Sequence, residues 1–184
     1  MRAEILSKHL RLLKEWFIPR PFISQVLSRR ENQIGAEIGV YRGRHAQSIL
    51  WHASISRLYL VDPYKAYTDF DQADLDQAER RVFRCLACNP KVLLVKQSSQ
   101  DASQTIPALD FAYLDGAHDY ESVKQDIALW WPKIVQGGAL AGHDFSSGWC
   151  ADHKGVVQAV TEFAFVNKLQ LFVAHSDWWI FKDV

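Results

Sequence analysis

Glycine, carboxylate and imidazole residues gather at a few short stretches of this chain, and their types limit the chemistry those stretches can do. The first is Glu37-Ile-Gly39-Val40-Tyr41-Arg42-Gly43. Gly39 lets the backbone approach a ligand closely, and Gly43 can open a helix without a Cβ. A dinucleotide site needs G-x-G-x-x-G over a pyrophosphate, so this G-x-x-x-G spacing suits a ligand that has none. Plain turn chemistry is the other reading of the same glycines. Asp62 is placed to accept both hydroxyls of a ribose, unless it is a helix cap or a solvated strand end. Lys96-Gln97-Ser98-Ser99 offers small polar groups to the edge of a base. Two further stretches, Asp115-Gly-Ala-His118-Asp119-Tyr120-Glu121 and Gly142-His143-Asp144-Phe145, combine carboxylates with imidazoles. Neighbouring parallel strands lie about 4.8 Å apart, so Asp115, His143 and Asp144 can converge as a divalent-metal site. Solvated strand ends are the alternative for the two aspartates, and Asp119 is expected to cap the following helix.

The elements that must position these residues follow from periodicity. Ile5, Leu6, Leu10, Leu13 and Phe17 recur at helical spacing and predict an amphipathic helix over residues 4–17. Pro19 and Pro21 end it, and a short second helix is expected over 22–29. From residue 34 onward, short apolar runs alternate with helical patterns. Strands are expected at 34–40, 58–61, 92–95, 111–114, 139–142, 171–174 and 178–181, with a Gly137-Gly138 turn before the fifth. Helices are expected at 44–52, 72–88, 121–130 and 156–167. This alternation implies an α/β domain at 34–184 with a parallel sheet covered on both faces, preceded by a helical segment at 1–33. His175-Ser-Asp177 is too short for a parallel crossover, so the last two strands pair antiparallel.

Composition narrows the class further. The 184 residues suit one domain, and Lys+Arg and Asp+Glu both number 21, so no net charge draws the chain to nucleic acid. No stretch approaches the roughly 20 apolar residues of a membrane span. Three cysteines and no signal-peptide core point to a reducing, cytoplasmic setting. Cys85-Leu-Ala-Cys88 closes a helix rather than opening one, unlike a redox motif. His143, Cys150 and His153 could gather around zinc. Tyr64, Tyr67, Phe70 and Trp149 either grip a ligand from loops over the cleft or pack as satellites.

Taken together, the run from Gly35 to Phe145 resembles a class I S-adenosylmethionine-dependent methyltransferase. The likeness rests on Glu37-x-Gly39-x-x-x-Gly43, Asp62, Asp115-Gly116-x-His118-x-Tyr120-Glu121 and Gly137-Gly138 leading to Gly142-His143-Asp144-Phe145. It continues weakly through Gly155-Val156-x-x-Ala159-Val160-x-Glu162-Phe163 to Trp179-Ile180. The second half is similar to small stand-alone enzymes related to metal-dependent sugar and catechol O-methyltransferases. The resemblance implies a Rossmann-like, doubly wound, mostly parallel seven-stranded sheet in three α/β/α layers, with an antiparallel C-terminal strand.

The resemblance also implies a cofactor site. Glu37, Gly39, Val40, Tyr41 and Gly43 would border it, with Glu37 and Gly39 at the methionine part. Asp62 would take the ribose hydroxyls, Gln97 and Ser98 would lie by the adenine, and Asp115 would face the sulfur end. Asp115, His143 and Asp144 match the magnesium-holding positions of the metal-dependent relatives. His143 departs from that pattern, because imidazole is a poor magnesium ligand. Either the metal differs, or His143 turns away, or none binds. Asp115 and His118 are the expected catalytic residues, with His118, ordinarily titrating near 6.5, as the base; an exposed helix-start histidine is the alternative. The expected reaction is methyl transfer to a hydroxyl of a small molecule such as a sugar or a phenol. The small size points to a compact acceptor or to a cleft shared across a homodimer. A non-catalytic S-adenosylmethionine-binding module, serving as an assembly partner, is the alternative.

Overall fold

Valine, isoleucine, leucine and aromatic runs that are apolar on both sides cannot stand at a solvated sheet face, so helices must cover them twice. The computed structural model describes residues 19–67, 70–146 and 154–182 and shows this arrangement. The strands are β1 (Gln33–Ile38), β2 (Ile55–Val61), β3 (Val92–Val95), β4 (Leu109–Leu114), β5 (Ile134–Gly142), β6 (Leu171–Ala174) and β7 (Asp177–Phe181). They form a seven-stranded sheet in the order β3-β2-β1-β4-β5-β7-β6. The first five are parallel, whereas β7 runs antiparallel to both β5 and β6. The helices are α1 (Pro21–Gln25), α2 (Arg44–His52), α3 (Gln72–Leu86), α4 (Ser99–Thr105), α5 (Tyr120–Trp130) and α6 (Lys154–Val166).

Side-chain alternation along β4 divides the core. Phe111 and Tyr113 pack with Phe22, Ile49 and Val82 on one face, and Ala112 and Leu114 pack with Ala102, Ile127 and Val160 on the other. Among the described residues no helix is long and apolar enough to cross a membrane.

Strand order reverses between β1 and β4, and register carries that reversal to the site. Ile38 pairs with both Val61 and Leu114, and Leu114 pairs with Gly142. The next residues along the chain, Gly39, Asp62, Asp115 and His143, therefore emerge side by side at the carboxyl edge of the sheet, where ligands of such folds sit.

Three details differ from the periodicity reading. The expected helix at 22–29 breaks at Val26 (φ −116°, ψ −64°), leaving α1 and a separate 3-10 turn at Leu27–Arg29. Gly137-Gly138 is not a turn before β5 but an irregularity within it. Gly137 (φ +73°) donates its amide to the Lys182 carbonyl at 2.7 Å, Lys182 returns a bond to Gly138, and the register with β4 shifts there. The short helix α4 has no apolar periodicity to announce it. Ser98 caps it by accepting the Asp101 amide at 3.1 Å, and it buries only Ala102 and Ser103. The expected helix at 4–17 lies outside the described residues.

Helix α1 is pinned to the sheet by one buried carboxylate. Asp177, 1% exposed, accepts the Phe22 amide at 3.0 Å and the Tyr113 hydroxyl at 2.7 Å. Replacing it by alanine orphans two buried donors, so Asp177→Ala should lower the unfolding free energy by about 2–4 kcal/mol in urea titrations. A loss under about 1 kcal/mol would show that apolar packing of Phe22 and Ile23 docks the helix unaided.

Candidate active site

The loop after β1 must reverse direction within a few residues to deliver α2 back onto the sheet. Gly39 (φ +88°), Tyr41 (φ +47°) and Gly43 (φ +70°) all take left-handed backbone to do so. At Gly39 a side chain would also collide with the Asp115 carbonyl, so only glycine lets β1 and β4 loops touch. Non-glycine residues at positive φ persist only where their surroundings hold them. Asp62 supplies that hold. Its Oδ2 accepts the Val40 and Tyr41 amides at 3.0 and 2.9 Å, and its Oδ1 accepts the Tyr64 amide at 2.8 Å. The Tyr41 hydroxyl adds a bond to Asp74 at 2.8 Å, and its ring packs on Phe70 with centroids 4.8 Å apart.

Two connected chambers open along this edge. The larger, about 560 Å³, runs from Gly39, Asp62 and Asp115 to Ser98, Ser99 and the α5 face carrying Asp126. Its volume suits a drug-sized ligand. The smaller, about 320 Å³, holds Glu37, Arg42, Arg44, His45, His118 and Asp144. Both share Gly39, Tyr41, Tyr67, Asp115 and Gly116. Asp115 thus borders both chambers.

Carboxylates and imidazoles interlock at the smaller chamber. His118 Nε2 lies 2.9 Å from Asp144 Oδ2, and His143 Nδ1 lies 3.0 Å from Asp144 Oδ1 and 3.8 Å from Asp115 Oδ1. Burial works against charge on Asp144, but the bonds from His118 and His143 outweigh it and hold this carboxyl well below the usual range. Asp115 faces Arg20 as well, whose Nη1 donates to its Oδ2 at 2.8 Å and to the Tyr113 hydroxyl at 3.0 Å. Asp115, His143 and Asp144 each offer a ligand atom within 4.8 Å of the others. That mixed set suits manganese, iron or zinc better than magnesium.

Beneath this layer sits an unusual pair. Glu37 is 1% exposed, its Oε2 has no hydrogen-bond partner, and both ring nitrogens of His45 are likewise unpartnered. The two groups lie 3.7 Å apart and do not form an ion pair. Burial, then the Asp115 charge, pushes the Glu37 carboxyl well up, and burial, then Arg20, pushes the His45 imidazole well down. Burial thus favours the uncharged form of each.

Of the residues singled out by sequence, Gly39, Tyr41, Asp62, Ser98 and Asp115 line the larger chamber, and Glu37, Val40, His118 and Asp144 line the smaller. His143 joins them through Asp144. Gly43 instead caps α2 and faces Val82 and Leu86. Gln97 is exposed and outside the chamber wall, which Ser98, Ser99 and Gln100 form. Asp119 caps α5 as expected, accepting the Ser122 amide at 3.0 Å. Tyr67 and Phe70 stand over the chambers, with Tyr64 buried beside them. Cys85 and Cys88 are exposed thiols. Trp149, Cys150 and His153, and with them the zinc reading, lie outside the described residues. Sequence reasoning missed Arg20, His45, Tyr113 and Asp126. Arg20 sits between two prolines that signal only a helix end, and His45 looks like any helix-face residue.

This arrangement is that of a Rossmann-like domain with two chambers at the carboxyl edge of its sheet. Residues 36–145 match the family model described as a methyltransferase domain, and the chain belongs to that family. Solved structures agree on the fold. The O-methyltransferase from Bacillus cereus in complex with S-adenosylhomocysteine superposes with a TM-score of 0.64 at 12% identity, covering 88% of this chain and 79% of that one. The O-methyltransferase NovP gives 0.62 at 16% identity, covering 95% and 80%. The N-methyltransferase NodS from Bradyrhizobium japonicum gives 0.58 at 12%, covering 86% and 89%. No curated protein matches the sequence. S-adenosylmethionine fits what the chain presents: a glycine cradle at Gly39, where a side chain would collide with the Asp115 carbonyl, and a chamber of nucleoside size.

Glu37 also makes stability depend on pH. Its folded pKa lies above the unfolded value, so the folded state binds the extra proton and stability falls as pH rises between the two. Glu37→Gln should remove that slope, gaining on wild type by about 1.4 kcal/mol per pH unit in ligand-free melts from pH 5 upward. Parallel curves for the two proteins would show that Glu37 ionises freely.

Proposed function

We propose that this methyltransferase acts on a hydroxyl of a small molecule and that His118 takes the hydroxyl proton. The observation that carries this reading is the His118–Asp144 pair, 2.9 Å apart at the wall of the smaller chamber. S-adenosylmethionine supplies an already electrophilic methyl on its sulfonium, so the protein's task is alignment and proton removal. Glu37 and the Gly39–Asp115 contact orient the donor's cationic end toward the shared boundary. With Nε2–H donating to Asp144, the neutral His118 ring carries its lone pair on Nδ1, the atom that accepts a proton. Asp144 then stabilises the imidazolium that forms, and His143 keeps Asp144 ionised and aimed. Tyr41, Tyr67 and Phe70 form an aromatic wall across the boundary that limits water and suits a planar or ring-shaped acceptor such as a phenol or sugar.

A divalent ion would be held by Asp115, His143 and Asp144 and would lower the acceptor's pKa. The imidazole in that set favours manganese or a softer ion over magnesium, and the guanidinium of Arg20 beside Asp115 weakens the site for any cation.

Transfer of labelled methyl from S-adenosylmethionine to a panel of catechols, phenols and sugars tests the reading. His118→Gln should lower turnover by about 10²–10⁴-fold while S-adenosylhomocysteine affinity stays within about threefold. Equal turnover would remove His118 from the mechanism. Chelation followed by manganese should restore more activity than magnesium, and indifference to chelation would remove the metal. Nucleoside binding with no transfer to any hydroxyl would favour a binding module.

A further inference from the structure

Gly155 lies in the first turn of α6, and the backbone there does not call for glycine. Its φ is outside the left-handed region that Gly39, Gly43 and Gly137 take, so a side chain is compatible with the helix. Glycine is also the poorest helix former after proline. Close contact explains its presence. A Cβ on Gly155 would stand 2.4 Å from the His118 carbonyl oxygen, 2.5 Å from the Tyr120 amide nitrogen and 2.7 Å from the Asp119 carbonyl carbon. Non-bonded carbon atoms rest about 3.5–4.0 Å apart, so α6 lies bare against the peptides that follow His118.

Both sides of this contact are anchored. Helix α6 shares a core with Leu140 and Trp178 through Val156, Val160 and Ala164. It is also tied to α5, because the Tyr120 hydroxyl donates to Glu162 Oε2 at 2.6 Å. On the loop side, His118 Nε2 lies 2.9 Å from Asp144 Oδ2, and Asp119 caps α5. The narrow cavity that Val156, His118, Asp144 and Trp178 help to line measures about 10 Å³. It has room for about one water and none for a displaced loop.

We propose that the first turn of α6 positions the base: Gly155 and Val156 seat the His118 peptide so that its imidazole meets Asp144. The inference rests on the reading of His118 as the base and extends it to residues that line neither chamber. A methyl forced between Gly155 and the His118 carbonyl must open the contact by about 1 Å. A catalytic group misplaced by about that distance loses on the order of 10²-fold in rate.

Two measurements on the full chain test the assignment. Crystal structures of wild type and Gly155→Ala need no acceptor. The His118–Asp144 separation should open from 2.9 Å to beyond about 3.5 Å. An unchanged separation overturns the proposal while leaving His118 as the base. The second measurement is a double-mutant cycle on methyl transfer to the best acceptor among the catechols, phenols and sugars. Gly155→Ala should lower turnover by about 10²-fold, with S-adenosylhomocysteine affinity kept within about threefold. In the His118→Gln background the same substitution should cost less than about threefold, because the group it acts through is gone. Equal losses in both backgrounds overturn the proposal, since a general structural defect does not depend on His118. Full turnover by His118→Gln alone overturns the base reading and the positioning role with it. If Gly155→Ala fails to fold, Val156→Ala loosens the same turn by removing atoms and is read by the same separation and cycle, with an expected loss of about tenfold confined to the His118 background.

Discussion

One carboxylate holds the site in shape. Asp62 accepts three backbone amides, two from the loop after β1 and one from its own loop, and so keeps Tyr41 and Tyr64 in left-handed backbone that neither would adopt alone. The Gly39–Asp115 contact depends on that loop, and both chambers depend on the contact. Asp62 thus does structural work at the position where a ribose would be met. A carboxylate has about four acceptor directions, and the three amides leave one toward the chamber.

The charges at the sheet edge are arranged in layers. Near the surface, Asp144 is ionised between two imidazoles, and Asp115 is paired with Arg20. One layer deeper, burial favours the uncharged forms of Glu37 and His45, which lie 3.7 Å apart. Burying such a pair without hydrogen bonds is unfavourable for folding. Away from this pair, the buried Trp130 indole donates to Ser99, whose hydroxyl donates to Asp126 and ties α4 to α5.

Several parts of this were legible in the linear chain. Short apolar runs placed the strands to within a few residues, because burial on both faces demands such runs, and the short link between β6 and β7, His175 and Ser176, required antiparallel pairing. Gly39, Asp62, Asp115, His118, His143 and Asp144 announced themselves by type at strand ends. Helix α4 did not, since its polar sequence is held by one capping serine and not by an apolar face. Nor did the continuity of β5 through Gly137-Gly138, where two backbone bonds with Lys182 override a turn signal.

By itself, then, the order of residues determined the alternation of elements, the reversal of the last strand and the reactive groups at the sheet edge, since all of these follow from local pattern and the reach of the chain. Only the tertiary structure decided which groups pair, which are neutral and which stay open. Arg20 meets Asp115 across 95 positions, Tyr113 meets Asp177 across 64, and Ser99 meets Asp126 across 27. Charge state depends on burial and on such distant neighbours, neither of which a local spacing can carry.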